Sequence, residues 1–355
     1  MDNLARRTGQ AQEGDLDGLI GNFMAEFAKI RDPARFNRQG NEFISKFPPE
    51  RGLEIATALT FANPFFLPDI PAAPAASLAV SLDLFSEQTM RAKLAARSAG
   101  QLNLLVACAP KSASTFIQNA LQNALSLPAA SLFTASLNSS ALGANLREQE
   151  PDELSLIRNG LNRMGYVAQH HARCTPYLAR LLALYRIRPI VTIRNVYDTL
   201  VSLDDMLLEW RSVHPGGEGH YYDDAMPRTY ATMDVEDRMT LLAARWPAWL
   251  TQFYISWKKC EKANETKPFW ISYEDDFLAG KQALAARLAE WLGGDRADPD
   301  KLLAAFADTS QGKAVRLNKG VAGRGEAIPA RIRARIEETV RAYGEDEDLA
   351  PLLGG

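Results

Sequence analysis

Apolar residues near the amino terminus recur at three- and four-residue intervals. Leu16, Leu19, Ile20, Phe23, Phe27 and Ile30 line one face of an amphipathic helix. A proline-rich stretch (Pro64, Pro68, Pro71, Pro74) interrupts that pattern, and a second helical run extends from Leu82 to Ser98. After Asn103 the period changes. Short apolar runs at Leu104–Cys108, Tyr166–Gln169, Pro189–Ile193 and Phe269–Ser272 read as strands. Each is followed by a helical pattern, over Phe116–Leu125, Pro176–Tyr185, Val196–Glu209 and Glu274–Leu292 respectively, and a further helix begins near Val235. Strands of this kind alternating with helices predict an α/β fold with a central parallel sheet covered on both faces. Ligands of such sheets bind beyond the carboxyl ends of the strands. The chemistry is therefore to be sought just after Cys108, Gln169, Ile193 and Ser272.

Composition narrows the class. The chain has 355 residues, 46% of them hydrophobic and 23% charged, enough to bury a large core and inconsistent with general disorder. Lys plus Arg number 40 against 43 Asp plus Glu, a near-balance that argues against a surface wholly devoted to nucleic acid. Three cysteines (Cys108, Cys174, Cys260) at wide spacing form neither a disulfide framework nor a zinc motif, which fits a reducing, cytoplasmic setting. The first residues lack the apolar core of a signal peptide. The most apolar stretch, Gly52 to Phe85, is broken by Glu54, Asp69, Asp83 and four prolines, so no membrane span is expected. We read residues 1–100 as a helical extension packing on a catalytic domain at 101–345, with an acidic tail at 346–355.

Two segments carry candidate chemistry. Pro110-Lys111-Ser112-Ala113-Ser114-Thr115 lies between a strand and a helix, where turn N–H groups and the helix dipole favour an anion. Lys111 adds a positive charge, and Ser112, Ser114 and Thr115 add hydroxyl donors. The loop lacks the GxxxxGK[ST] spacing of an ATP or GTP site. Arg194-Asn195-Val196-Tyr197-Asp198-Thr199-Leu200-Val201-Ser202 starts where a later strand ends, with Ser202 two helical turns beyond Arg194. Taken alone, the first segment reads as a surface turn that happens to carry lysine and serines, and the second as a helix start capped by Asn195 with a surface arginine.

Together they resemble the sulfotransferases that use 3′-phosphoadenylyl sulfate (PAPS). Pro110–Phe116 is similar to that family's P-K-S-G-T-T-W loop, and Arg194–Ser202 to its R-N-x-x-D-x-x-x-S motif. Ser272-Tyr273-Glu274-Asp275, with a helix ending in Trp291-Leu292-Gly293, is similar to its Y-E-D-L segment. Asn318-Lys319-Gly320-Val321-Ala322-Gly323 is similar to its R-K-G-x-x-G loop. The resemblance covers residues 100–345 and implies a P-loop-like α/β sulfotransferase fold. It implies that Lys111, Ser112, Ala113, Ser114 and Thr115 hold the 5′-phosphosulfate of PAPS, that Lys111 is also catalytic in neutralising the bridging oxygen as the phosphate leaves, and that Phe116 gives an aromatic face near the adenine. Arg194, Ser202, Tyr273, Asn318, Lys319 and Gly320 would bind the remainder, including the 3′-phosphate. It also implies a histidine base at Gln169-His170-His171, with counting favouring His171 and an offset of one selecting His170. No metal is implied. Ala113 stands where the family has glycine, Phe116 for tryptophan and Asn318 for arginine, whose charge Arg316 or Arg324 would replace. Gln169 stands in place of the lysine that precedes the histidine.

The charge pattern agrees with an anion site. Gln311 to Arg341 carries eight basic and three acidic residues, a local excess of +5, whereas Asp204 to Arg238 carries nine acids and three bases. The second region includes the loop-like Gly216–Asp224, a candidate lid over an acceptor pocket. The expected activity is sulfuryl transfer from PAPS to a hydroxyl of a small-molecule, lipid-like or sugar acceptor, with no nucleic-acid partner. A P-loop-like nucleotide kinase or NTPase and a non-catalytic nucleotide-binding module are the rival readings. The oligomeric state, a homodimer included, stays open.

Overall fold

The computed structural model describes residues 22–23, 30, 32–62, 66–69, 81–98, 100–133, 149–161, 165–213, 227, 229–308, 321–343 and 347–354. Most of the predicted helix over Leu16–Ile30, the whole of the proposed lid Gly216–Asp224 and the Asn318–Gly320 part of the Asn318–Gly323 motif lie outside them. The chain divides into two units, one formed by Met1–Leu82 with Thr134–Asn145 and His220–Tyr222, the other by the remainder.

In the smaller unit, α1 (Pro33–Ile44) starts at Asp32, whose side chain accepts the Ala34 N–H and satisfies one of the helix's open donors. A second helix, α2 (Pro49–Ala62), follows, and Phe36, Phe43, Ile55, Ala56, Leu59 and Phe66 form a core of their own. Asn41 closes the returning chain by donating to the Leu67 carbonyl and accepting from the Asp69 N–H.

The larger unit opens with α3 (Leu82–Ser98), β1 (Asn103–Cys108), α4 (Ser114–Leu125) and a two-residue β2 (Ala129–Ala130). Next come α5 (Glu153–Leu161), β3 (Tyr166–His170), α6 (Pro176–Leu184), β4 (Ile187–Ile193) and α7 (Val196–Val213). The long α8 (Val235–Lys262), β5 (Phe269–Ser272), α9 (Lys281–Leu292), α10 (Pro299–Ala307), α11 (Ala330–Ala342) and a short α12 (Ala350–Leu353) complete it. The strands form one parallel sheet in the order β2-β3-β1-β4-β5. All four strands expected from the sequence are present, and helices cover both faces, as an α/β fold requires. The two-residue β2 is too short to show in any sequence period.

Side-chain alternation along β1 separates two cores. Leu105 and Ala107 join a cluster with α6, α7, α8 and α11, while Leu104, Val106 and Cys108 join one with α4, α9 and α10. This is why β1 reads as an unbroken apolar run: both faces are covered and every residue in it is buried. The helix expected over Glu274–Leu292 is broken. A wide π-helical turn, Tyr273–Ala279, precedes α9, and a Cβ on Gly280 would lie 2.7 Å from the Asp275 carbonyl oxygen. Beyond the acidic stretch near the carboxyl terminus, α12 buries Leu352 in the first core.

The connection after β1 runs towards β2 on one side of the sheet, whereas the connection after its neighbour β4 runs towards β5 on the other. Such a switch point opens a crevice at the carboxyl edge. Register places Ala107 beside His170, Cys108 beside Thr192 and Ile193 beside Ser272. The ends of β3, β1, β4 and β5 therefore deliver His171, the Pro110–Thr115 loop, Arg194 and Tyr273 along one edge. Among the described residues, no helix is long and apolar enough to cross a membrane.

Candidate functional site

The loop after β1 is held by short polar bonds and two left-handed residues. Lys111 (φ 64°) and Ala113 (φ 60°) both take the conformation that disfavours any side chain with a Cβ. The Ser112 hydroxyl donates to the Ala109 carbonyl and meets the Thr192 hydroxyl, each at 2.6 Å. Since Ser112 spends its proton on Ala109, Thr192 is the donor of that pair. Ala113 is the N-cap of α4 and has no side chain to cap it, so the first N–H groups of that helix keep their affinity for an anion. Ser114 accepts from Gln169 Nε2 at 2.8 Å, which gives the residue standing in place of the family's lysine a role in holding the loop. Phe116 is core: its ring is 3% exposed and packs edge-on to Phe277.

His170 and His171 have different environments. His170 Nε2 accepts the Leu132 N–H at 2.9 Å, which places the ring proton on Nδ1 facing Gln149 Oε1 at 3.3 Å. Burial, then the neighbouring His171, pushes its pKa down to about 3, so this ring is neutral at ordinary pH. His171 is half-buried, and its Nδ1 donates to the Cys108 carbonyl oxygen at 2.8 Å. That bond selects the tautomer with the lone pair on Nε2, the form a general base needs. The His171 backbone N–H is held by Gln149 Oε1, and Trp249 of α8 stands edge-on to the ring with centroids 6.5 Å apart. Cys108 Sγ lies 3.3 Å from His171 Nδ1. Burial acts to raise this thiol, but the field of His171 and bonds to His171, Ser114 and Gln169 outweigh it and leave it below its ordinary value.

The corner after β4 is built from charge. Arg194 is 5% exposed and lies with its guanidinium 4.0 Å from the Tyr273 ring centre. Its Nη1 donates to the Lys111 carbonyl and its Nη2 to the Val321 carbonyl, while Asp198 is 3.6 Å away. Asn195 donates to Glu274 Oε1 through its side chain at 2.6 Å, and its own Oδ1 takes the Asp198 N–H at the start of α7. Burial raises the pKa of Glu274, against the opposing bonds from the backbone and Asn195 and the field of Arg194. Arg194 thus touches segments from three of the other motifs: the β1 loop, the turn after β5 and the segment beginning at Val321.

Three buried donors on Arg194 and along α7 have no hydrogen-bond partner among the described residues: Arg194 Nε, Thr199 Oγ1 and Ser202 Oγ. Unpaired donors in a buried site are costly unless something meets them. They suit a bound anionic group, and Thr199 was not among the sequence candidates. Nothing in a single sequence separates it from an ordinary helix residue. Arg324, considered as the substitute for the charge missing at Asn318, is paired instead with Asp205 at 2.7 Å. Arg316, Asn318, Lys319 and Gly320 lie outside the described residues. Among the described residues, no group of three or more His, Cys, Asp or Glu could hold a metal ion.

No protein-family model matches the chain, and no curated protein matches it. Among solved structures it is similar to the mouse sulfotransferase SULT7A1 complexed with PAP. That likeness has 14% sequence identity and a TM-score of 0.45, and covers 76% of this chain and 95% of that one. At this identity and TM-score it bears on no individual residue.

Proposed function

We propose that the protein is a PAPS-dependent sulfotransferase acting on a hydroxyl of a small-molecule, lipid-like or sugar acceptor. The supporting observation is the meeting at Arg194 of the β1 loop, the Tyr273 turn and the Val321 segment, together with unpartnered buried donors on Arg194, Thr199 and Ser202. PAPS supplies a sulfuryl group carried on a phosphate leaving group. Lys111, Ser112, Ser114, Thr115 and the N-terminus of α4 would hold its 5′-phosphosulfate, with Lys111 balancing the charge that grows on the leaving oxygen. Arg194, Thr199 and Ser202 would hold the 3′-phosphate, with Asn318–Gly320 contributing as the sequence resemblance implies.

His171 is the proposed base: its Nε2 takes the proton of the acceptor hydroxyl as that oxygen attacks sulfur. His170 serves by holding Leu132 and Gln149, and Gln149 in turn holds the His171 backbone. Trp249, stacked on Phe253 and edge-on to His171, offers an aromatic face to the acceptor.

The test is incubation with 35S-labelled PAPS and a broad panel of hydroxyl acceptors, alongside thermal shifts with the desulfated nucleotide PAP and with ATP-Mg. Label transfer with stabilisation by PAP supports the reading. Stabilisation by ATP-Mg alone would point to a kinase or NTPase, and PAP binding without label transfer to a non-catalytic module.

A further inference from the structure

The segment that follows Asn318–Gly320 is fastened to α7 by two carboxylates of that helix. Asp198, 1% exposed, accepts the Gly325 N–H at 2.6 Å and the Gly323 N–H at 2.9 Å, one on each oxygen. Asp205, seven residues and so about two turns further along the same face, pairs with Arg324 at 2.7 Å. Three consecutive residues are thus gripped by one helix. The turn is shaped to accept that grip. Gly323 has φ +80°, and Gly325 lies so close to the start of α7 that a Cβ would come within 2.3 Å of Tyr197 Cβ. At the near end of the segment, the Val321 carbonyl receives Arg194 Nη2, and Arg194 stands 3.6 Å from Asp198. One buried carboxylate therefore faces both the arginine of the anion corner and the backbone of the turn.

We propose that Asp198, assisted by Asp205, is a positioning residue that clasps the Gly323–Gly325 turn onto α7 and thereby sets the preference for nucleotides bearing a 3′-phosphate. The inference rests on the PAPS reading of the site and extends it to residues that need not touch the nucleotide. Asp198 orients Arg194 and ties down the chain a few residues beyond Lys319. Loss of the clasp frees the 3′-phosphate side while leaving the β1 loop, which holds the 5′ side, in place.

The experiment measures equilibrium binding of PAP and of AMP, which lacks the 3′-phosphate, to the full-length protein and its variants by calorimetry. Far-ultraviolet circular dichroism checks that each variant is folded. The wild type is expected to prefer PAP. Asp198→Ala is expected to cut PAP affinity by about 10- to 100-fold, the scale of a lost charge-assisted bond, with AMP affinity changed by less than about threefold. Asp198→Asn, which keeps one acceptor oxygen, is expected to restore part of the preference. Asp205→Asn should lose least. Gly325→Ala displaces the turn without altering any charge, so it tests the clasp even where Asp198→Ala does not fold, and it should reproduce the selective loss of PAP. A wild-type ratio of PAP to AMP affinity in Asp198→Asn and Gly325→Ala would overturn the clasp while leaving the PAPS reading standing. A wild type that binds PAP and AMP equally would overturn both.

Discussion

The loop after β1 and the corner after β4 meet at the same sheet edge, yet they are made of different materials. The loop is shaped by backbone: left-handed Lys111 and Ala113, the uncapped start of α4, and neutral bonds among Ser112, Thr192, Ser114 and Gln169. The corner is shaped by side-chain charge, with Arg194 set among Asp198, Glu274 and Tyr273. A backbone-built anion site tolerates loss of one side chain, because its N–H groups survive the substitution. A buried charge cluster does not, because removing one member leaves the others without a counter-charge in a medium that solvates them poorly. The two halves should therefore fail in different ways.

The largest expected effect is at Arg194. Arg194→Ala leaves Asp198 and Glu274 without their cation and should cost about 3–5 kcal/mol of stability, read by denaturant unfolding. Arg194→Lys should rescue little, since a point charge cannot span the Lys111 and Val321 carbonyls and lie flat on Tyr273. The contrast is Ser112→Ala in the loop, expected to cost about 1 kcal/mol. Equal losses at the two positions would break the distinction.

The histidine pair sharpens it further. His171→Ala should lower kcat by about 10²–10⁴ while the thermal shift with PAP persists, measured in the sulfuryl-transfer assay. His170→Gln should spare chemistry more than folding, at a cost of about 1–3 kcal/mol for the acceptor lost by the Leu132 N–H. The pH dependence has a definite sign. His170 titrates near 3 when folded against 6.5 in its ordinary state, so the unfolded chain binds the extra proton between those values. Stability from this group is therefore present above pH 6.5 and lost as pH falls towards 3. His170→Gln should flatten that slope, and an unchanged slope from pH 6.5 to 4 would remove His170 as its source.

The smallest effect has the opposite direction. Ala113→Gly replaces a left-handed alanine and should stabilise by up to about 1 kcal/mol, raising Tm by a few degrees, with PAP binding retained. A loss of stability there would mean that the loop's shape depends on the Ala113 side chain rather than on its backbone.

Much of the scaffold was legible in the chain because the central strands are buried on both faces, so their apolar runs stand out from the helical periods around them. The ends of those runs lie one to three residues before Lys111, His171, Arg194 and Tyr273. Other features had no local signal. Residues Glu274 to Leu292 carry one helical pattern, and only the close approach of Gly280 to the Asp275 carbonyl shows where it breaks. Phe116 packs edge-on to Phe277, far along the chain, a contact that no local pattern shows. Trp249 and Thr192 enter the site from elements whose sequences carry no motif.

The α/β class, the turns that follow β1, β3, β4 and β5, and the residue types in those turns could be read from the chain alone. Those properties follow from periodicity and from turn and helix-end chemistry, which act over a few neighbouring residues. The tertiary structure is what occupies the His170 Nε2 lone pair with the Leu132 N–H and ties His171 Nδ1 to the Cys108 carbonyl, bonds that depend on distant segments rather than on adjacent residues. It also decided that Arg324 is spent on Asp205 and that Asp198 grips the Gly323–Gly325 turn. Hydrogen-bond partners and burial are set by chain segments brought together from a distance, and no local pattern encodes them.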